Sequence, residues 1–501
     1  MSSRYSGPAL REVTVSTGLR LGRSCVGEGL ERRGTLPRHM GRPISRHDAS
    51  PPVLFVAREP DETLRAFLPV IDRLQAEHQR ASQVLFHHRP GDWARRELAE
   101  RGICLDEVQL ARHLLPRPLA TARVGRTIDE VGRFWQARTL ARLALDRHQP
   151  VAVVVIQDTQ LLERFIVREA NARGLPTLVV QWAFSYEQAM YDRIREFQFG
   201  RRITRSSERF PRRLLAPVTR GLYRSALGIL GLNFNLVNSY GGGEARLFAV
   251  IGEAFRDQFV RQGVRGKRIE ATGHPTHDAV FRRLQTIDDA ERAAIRRRYQ
   301  LPQDRTIALY ATQPVLWRKV MTHEALEENV RAIAAAVAGR PDCQLVVKLH
   351  PREDPADYAF CADLDPPVQV ITQAEMPDLI AACDLFISSS SSTVLLAMML
   401  DRPIVTVNFN AVPHFDQFEA IGGTVHVRTH EQFKQELDRL LENSQAAAQL
   451  RRQRQDVVAR YTRFDGHAAD RIAGLLVSAI DGANLTPASA TARSMPSRVG
   501  V

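Results

Sequence analysis

The sequence predicts an α/β protein of two doubly wound, parallel-sheet domains that face each other across a cleft. Short apolar runs alternate with segments of helical periodicity, which is typical of parallel strands covered by helices on both faces. This alternation begins at residue 53, stops in the charged, proline-interrupted stretch 286–304, and begins again at residue 306. A chain of 501 residues also exceeds the size at which one hydrophobic core stops growing, so two domains are expected.

The patterns give the following elements and boundaries. In the first domain we predict strands at 53–57, 84–87, 151–156, 177–181, 247–251 and 268–272, and helices at 63–77, 93–100, 127–148 and 161–173. In the second we predict strands at 306–311, 344–349, 368–372, 385–388 and 404–408, and helices at 324–338, 377–383, 393–400 and 430–441. The expected parts are a disordered basic arm (1–51), a first Rossmann-like domain (52–285) with a basic insertion (195–240), a linker (286–304), a second Rossmann-like domain with a terminal crossover helix (305–481), and a disordered tail (482–501).

The distribution of charge and of apolar residues argues against a nucleic-acid-binding protein and against a membrane-spanning one. The net charge is +13, but residues 1–50 (nine Arg, four acids) and 195–224 (nine Arg, two Glu) supply +5 and +7, so the remaining chain is close to neutral. This distribution argues against nucleic acid as the main substrate and leaves a local anionic partner open. The five cysteines are scattered, and no run is long and apolar enough to span a bilayer. We therefore expect a cytoplasmic protein.

One cluster of cationic side chains follows the predicted strand 344–349. In open α/β sheets, ligands bind beyond the carboxyl ends of the strands, where Lys348, His350 and Arg352 fall. Pro351 favours an extended conformation of His350 and so holds its imidazole at the end of the strand. Together these side chains suit a phosphate, whereas the alternative is a basic surface turn.

A run of hydroxyl side chains follows the predicted strand 385–388. A strand, a hydroxyl-rich turn and a helix N-terminus provide backbone N–H groups and hydroxyls for an anion. A helix cap needs one hydroxyl, and this turn supplies six, so we predict a phosphate site rather than a simple cap. The candidate residues after strand 385–388 are Ser389, Ser390, Ser391, Ser392 and Thr393.

These two motifs resemble those of bacterial surface-polysaccharide transferases of the GT-B fold, which include sialyltransferases, capsule transferases and CDP-glycerol glycerophosphotransferases. Those enzymes contact the donor phosphate through a His-Pro motif and a Ser-Ser motif, which correspond here to His350-Pro351 and Ser391-Ser392. The resemblance covers roughly residues 150–475. It extends to two further motifs, Ala271-Thr272-Gly273-His274-Pro275 with Asp278, and the stretch from Asp465 to Arg471.

The chain also departs from this pattern. Glycerophosphotransferases usually have Asp-Tyr before Ser-Ser, where this chain has Ser389-Ser390, and an acidic residue where it has Leu396. Non-hydrolysing UDP-GlcNAc 2-epimerases share the fold and are an alternative. Thr312 and Gln313, at the end of strand 306–311, are predicted to face the cleft and contact the nucleotide, with a plain strand-ending turn as the other interpretation.

The resemblance implies transfer of a sugar from a nucleotide-sugar donor to a polysaccharide or lipid-linked acceptor in cell-surface glycan synthesis. The second domain would bind the nucleotide and the first the acceptor, and we expect no metal or other cofactor. Alternatives are the epimerase, transfer of a polyol phosphate from a CDP-activated donor, and a non-catalytic membrane- or RNA-binding protein. The sequence leaves open the sugar, the nucleobase, the acceptor, the stereochemical outcome and the oligomeric state.

Two acids are candidates for the base that removes the proton of the acceptor hydroxyl. Glu59 follows strand 53–57, and Asp158 follows strand 151–156. We predict Glu59 as the base and Asp158 as an acceptor ligand, with His350 assisting catalysis. The alternatives are a helix N-terminal acid for Glu59 and an N-cap for Asp158.

The basic segment 195–230 mixes arginines with apolar residues. This composition suits a helix at an anionic membrane surface, where each Arg contributes about 1 kcal/mol of binding. A basic loop followed by an ordinary core helix is the alternative. With lipid-linked acceptors implied by the resemblance, we expect peripheral association with the inner face of the membrane.

Overall fold

A computed structural model describes residues 51–58, 60–111, 123–185, 241–264, 268–316 and 320–484, together with residues 23, 24, 190 and 193. In these residues it has two α/β domains, each built on one sheet. The first-domain strands are β1 (Arg23–Ser24), β2 (Val53–Ala57), β3 (Ser82–Phe86), β4 (Cys104–Glu107), β5 (Ala152–Val155), β6 (Thr177–Val180), β7 (Leu247–Val250) and β8 (Arg268–Ala271). Its helices are α1 (Pro60–His78), α2 (Asp92–Glu100), α3 (Arg123–His148), α4 (Leu161–Ala172), α5 (Glu253–Arg261) and α6 (Pro275–Leu284).

The second domain contains six strands in the described residues. These are β9 (Thr306–Ala311), β10 (Cys343–Lys348), β11 (Gln369–Ile371), β12 (Leu385–Ser388), β13 (Ile404–Val407) and β14 (Val425–Val427). The remaining helices are α7 (Asp289–Arg298), α8 (His323–Ala338), α9 (Met376–Ala382), α10 (Thr393–Met399), α11 (Gln417–Ile421), α12 (His430–Glu442), α13 (Ser444–Tyr461) and α14 (Ala468–Asn484). Two 3₁₀ helices span Pro355–Asp363 and Pro413–Asp416.

Both sheets have the strand order of doubly wound domains. The first sheet runs β1-β4-β3-β2-β5-β6-β7-β8 and the second β11-β10-β9-β12-β13-β14. The described strand pairs are parallel except that β1 pairs with β4 in an antiparallel arrangement. The central strands β2, β5 and β6 are buried along their whole length, because helices cover both faces of the sheet. The predicted fold class is confirmed.

The segment expected to be a linker, 286–304, contains helix α7. This helix packs on the second domain through the fully buried side chain of Ile295 and through an ion pair between Arg296 and Asp384, 2.8 Å apart. Its sequence has a single large apolar side chain among many charges, so it shows no apolar stripe from which a helix would be predicted.

The chain crosses back to the first domain at its end. Helix α14 packs into the core of the first sheet with Ile472 and Leu476, both fully buried. Its N-terminus is fixed by Asp278 of α6, whose carboxylate accepts hydrogen bonds from the N–H groups of Ala468 (2.9 Å) and Ala469 (2.8 Å). The hydrophobic core of the first domain is therefore completed by a helix that begins about two hundred positions after Asp278.

Candidate active site

The carboxyl ends of three adjacent strands of the second sheet bring the predicted phosphate residues together. Lys348 of β10 pairs with Ala311 of β9, which pairs with Ser388 of β12. The segments that follow these strands therefore leave the sheet side by side. Neighbouring strands lie about 4.8 Å apart, so the His350 and Ser391 loops begin roughly 10 Å from each other, with Thr312 and Gln313 between them.

Glu353 organises the loop that carries His350. Its carboxylate accepts hydrogen bonds from the backbone N–H of His350 (3.0 Å), from the hydroxyl of Tyr358 (2.8 Å) and from the hydroxyl of Thr312. Burial raises the pKa of Glu353, and these hydrogen bonds oppose the rise. The loop is thus held from β9 and from the following 3₁₀ helix before any ligand binds.

The same loop sets the tautomer of His350. The backbone N–H of Arg352 donates to Nδ1 of His350 over 3.1 Å. In the neutral imidazole the proton is therefore on Nε2, which is a hydrogen-bond donor. A donor at the carboxyl edge of the sheet is suited to an oxygen of a phosphate group.

Lys348 lines the same groove as His350, but its ammonium group already has partners within the protein. Its side chain is buried, and Nζ donates to the carbonyl oxygens of Leu349 (2.6 Å) and Thr372 (3.3 Å). Burial lowers the pKa of Lys348, partly offset by the charge of Glu353. Lys348 therefore ties the ends of β10 and β11 together beneath the loop, whereas the exposed Arg352 lies on its outer side.

The serine run divides into a buried part and an accessible part. Ser389 and Ser390 are buried, and the hydroxyl of Ser390 hydrogen-bonds the side chain of Gln313 over 3.0 Å. Ser391 accepts a hydrogen bond from the hydroxyl of Thr393 over 2.8 Å. Gln313 and the first serines thus hold the turn in shape, and Ser391, Ser392 and Thr393 are the members that a ligand can reach.

A cleft of about 740 Å³ separates the carboxyl edges of the two sheets. Ser392 and Thr393 line it from the second domain. The first domain contributes side chains that follow its strands β6, β7 and β8, namely Trp182, Ile251 and His274. A second groove of about 650 Å³ runs along His350 and meets the cleft at Glu375, which lines both.

Two histidines stand on the first-domain wall of this cleft. Nδ1 of His274 accepts a hydrogen bond from the N–H of Thr276 (3.3 Å), and Nε2 is buried with no hydrogen-bond partner in the described part of the chain. Burial lowers the pKa of His274 to about 4. Burial, with a smaller contribution from His274, also lowers the pKa of His277 well below its usual value. Both imidazoles are therefore neutral at physiological pH.

The structure describes only one of the two acidic residues that we predicted to act in catalysis. Glu59 lies outside the described residues. Asp158 is fully buried and does not line the cleft. It packs against Gly243, where a Cβ atom would lie 2.2 Å from the backbone oxygen of Asp158 and 2.7 Å from its carboxylate. The structure therefore corrects the interpretation of Asp158 as an acceptor ligand, because that side chain is enclosed within the first domain.

Glu353, Tyr358 and Trp182 are site residues that the sequence did not identify. Glu353 belongs to the predicted cationic loop, but its role depends on Thr312 and Tyr358, which only folding brings to it. Trp182 directly follows a predicted strand, and an aromatic side chain at the carboxyl end of a parallel strand is a signal that could have found it.

One group of side chains in the described residues has the geometry of a metal site. Ligand atoms of Asp416, Glu419 and His426 lie within 4.8 Å of one another. However, Arg428 forms ion pairs with Asp416 (3.4 Å) and Glu419 (2.6 Å), and Arg193 forms one with Asp416 (3.2 Å), so two guanidinium groups already offset the two carboxylates. The basic segment 195–230 lies outside the described residues. Within the described part of the chain, no helix combines the length and apolar character needed to cross a membrane.

Comparison with protein families finds a match in the second half of the chain. Residues 253–478 match the family CDP-glycerol:poly(glycerophosphate) glycerophosphotransferase. The resemblance predicted from the His-Pro and Ser-Ser motifs is confirmed. The matched region contains the whole second sheet, the histidines of the cleft and the start of the terminal helix. A search of curated proteins finds no significant match to the sequence.

Solved structures share the two-domain architecture over most of the chain. The UDP complex of MnaA from S. aureus has 15% identity and a TM-score of 0.54, with 87% of this chain and 99% of that one covered. The glycotransferase of kitacinnamycin has 14% identity and a TM-score of 0.54, covering 85% and 98%. UDP-GlcNAc 2-epimerase from Neisseria meningitidis, bound to UDP-GlcNAc, has 15% identity and a TM-score of 0.50, covering 85% and 99%. At these identities the likeness establishes the GT-B-type fold, and the family match supports the predicted transferase activity.

Proposed function

We propose that this chain transfers a sugar from a nucleotide-sugar donor to a hydroxyl group of a polysaccharide or lipid-linked acceptor in cell-surface glycan synthesis. The observation that carries this proposal is the cleft between the carboxyl edges of the two sheets, with Ser392 and Thr393 on its second-domain side and the groove beside His350 meeting it at Glu375. The family match and the fold of nucleotide-binding neighbours support it.

The second domain is suited to hold the donor. A nucleotide lying along the groove beside His350 would bring its phosphates to the point where the groove meets the cleft. There, Nε2–H of His350 and the hydroxyls of Ser392 and Thr393 would stabilise the charge that develops on the departing phosphate. Glu353 fixes the loop of His350, and Gln313 holds Ser390 in the turn that carries Ser392 and Thr393, so little reorganisation is needed when the bond breaks.

The first domain is suited to hold the acceptor. Trp182 offers an aromatic surface in the cleft, and His274 and His277 lie beside it as neutral imidazoles. Neutral groups and an aromatic face suit an uncharged sugar or polyol better than a second phosphate. The part of the first-domain wall formed by Trp182, His274 and His277 is thus uncharged, whereas Arg65 and Arg101 elsewhere on that wall are cationic.

Transfer of a polyol phosphate is the second candidate, because the family match names that reaction class. The buried Ser389-Ser390 pair, in place of Asp-Tyr, and Leu396, which lines the cleft, favour the sugar. The epimerase is less well supported, because the family match is to transferases.

The test combines a binding screen with a turnover assay. We expect one of CMP, CDP, UDP and GDP to raise the melting temperature of the purified chain, and Ser392→Ala with Thr393→Ala to weaken that effect. The change Ser478→Ala, at an exposed position of α14, serves as the matched control. Release of nucleotide should then require an acceptor.

The products distinguish the candidates. Glycerol phosphate transfer from CDP-glycerol would favour the second candidate. Interconversion of a nucleotide sugar without an acceptor would overturn the transferase proposal in favour of an epimerase, and failure to bind any nucleotide would overturn it altogether.

We further propose that the protein works in the cytoplasm at the inner membrane surface, held by the basic segment 195–230. Changing four of its arginines to Gln should weaken binding to anionic liposomes by a few kcal/mol, at about 1 kcal/mol per Arg, and should leave nucleotide binding intact. The four positions are Arg209, Arg212, Arg213 and Arg220. A variant with the same loss of charge on exposed arginines of α8, α12 and α13 is the control: Arg331, Arg439, Arg451 and Arg452. Equal liposome binding by both variants would contradict the membrane proposal.

A further inference from the structure

The buried carboxylate of Glu163 lies beside the imidazole of His87 at the carboxyl edge of the first sheet. Glu163 is 1% exposed, and neither of its carboxylate oxygens has a hydrogen-bond partner in the described residues. Its Oε1 lies 3.5 Å from Nδ1 of His87, a pair that carries opposite charges only when the imidazole is protonated. Burying a carboxylate without hydrogen bonds costs free energy of folding, so stability alone does not account for this pair.

The local structure fixes both members. His87 directly follows β3, and its backbone N–H donates to the carbonyl of Ala57 at the end of β2 over 2.8 Å. Glu163 lies in the first turn of α4, where the helix dipole stabilises negative charge. The ring of His88 stacks on that of His87 with centroids 4.8 Å apart and planes 6° from parallel. The imidazole is thus oriented before a substrate arrives.

The pair lies on the edge of the sheet that the second domain faces. Trp182, Ile251 and His274 follow other strands of the same sheet at the same edge, and all three line the interdomain cleft. The side chain of His87 retains 11% exposure, whereas Glu163 is sealed behind it. With Nδ1 directed at the carboxylate, Nε2 is the nitrogen that His87 presents to a substrate.

We propose that His87 is the general base of the transfer reaction and that Glu163 is its positioning residue. This inference rests on the proposed function. A base oriented by a third group is the arrangement that activates hydroxyl nucleophiles in many enzymes. Of the two acids considered for this role from the sequence, Asp158 is enclosed behind Gly243.

The acceptor hydroxyl gives its proton to Nε2 of His87, and its oxygen forms a new bond to the anomeric carbon of the donor sugar. The bond from that carbon to the phosphate oxygen breaks, and its electron pair leaves on the nucleotide. The imidazolium that results is stabilised by the carboxylate of Glu163, and its proton later passes to solvent.

Three variants test the proposal. His87→Ala should lower kcat by about 10²- to 10⁴-fold while nucleotide binding is unchanged, and added imidazole should restore part of the rate. Glu163→Gln should lower kcat without changing the KM for the acceptor, and imidazole should not restore it. The matched control is His148→Ala, which removes another buried histidine paired with a carboxylate, that of Asp106 at 3.2 Å. This control should keep its turnover.

The outcomes separate this proposal from the function on which it rests. If His87→Ala fails to fold, His87→Gln keeps the polar contact and should show the same loss. Normal turnover by His87→Ala or His87→Gln would overturn the proposal, as would loss of turnover by Glu59→Gln alone, which would make Glu59 the base. If the unmodified chain binds nucleotide but transfers nothing to any acceptor, the proposed function itself fails and the inference fails with it.

Discussion

Replacing His350 with Ala should lower kcat by about 30- to 1000-fold, which corresponds to about 2–4 kcal/mol of transition-state stabilisation. The reason is the fixed tautomer of this residue. Because the backbone N–H of Arg352 donates a hydrogen bond to Nδ1 of His350, the proton of the neutral ring is on Nε2. That donor is held by the Glu353 network, so it can stabilise the departing phosphate without rearrangement.

The conservative change His350→Gln retains an N–H donor and should lose less activity than His350→Ala. His467→Ala, which removes an exposed histidine at the start of α14, is the control and should keep its turnover. Single-turnover measurements at saturating donor would separate the chemical step from binding. Unchanged single-turnover rates in His350→Ala would show that His350 does not act on the leaving group.

The sequence predicted the strands well where they are buried on both faces. The uninterrupted apolar runs of β2, β5 and β9 can be recognised without knowledge of the fold. Strand β4 was missed because Cys104, Asp106 and Glu107 give it half-polar composition. It takes strand form through its pairing with β3, a contact that its own residues do not encode.

The candidate site was predictable to a similar degree. That His350, Thr312 and Ser391 share one edge follows from a single rule, because the carboxyl ends of parallel strands meet. Which of the neighbouring polar residues reach a ligand does not follow from that rule. Lys348 is tied to the carbonyl of Thr372, and Asp158 is covered by Gly243, and both contacts join distant parts of the chain.

Acid should destabilise this protein through the two histidines of the cleft. The folded-state pKa of His274 is lowered by burial to about 4, from an ordinary value of 6.5, and burial also lowers that of His277. The unfolded chain therefore binds more protons than the folded chain below about pH 6.5, so stability falls as the pH decreases through that value. For His274 alone the loss reaches about 3 kcal/mol by pH 4, and His277 adds to it.

Carboxylates elsewhere in the chain also titrate in this range, so the comparison must be made between variants. His274→Asn keeps a side-chain acceptor for the N–H of Thr276, which caps α6, and removes the titrating ring. Combined with His277→Gln, it should lose less stability than the unmodified chain between pH 7 and pH 4.5, as measured by thermal unfolding at each pH. His467→Asn, at an exposed position, should behave like the unmodified chain. Parallel losses in the double variant and the unmodified chain would show that these imidazoles titrate equally in the folded and unfolded states, and so that burial does not keep them neutral in the cleft.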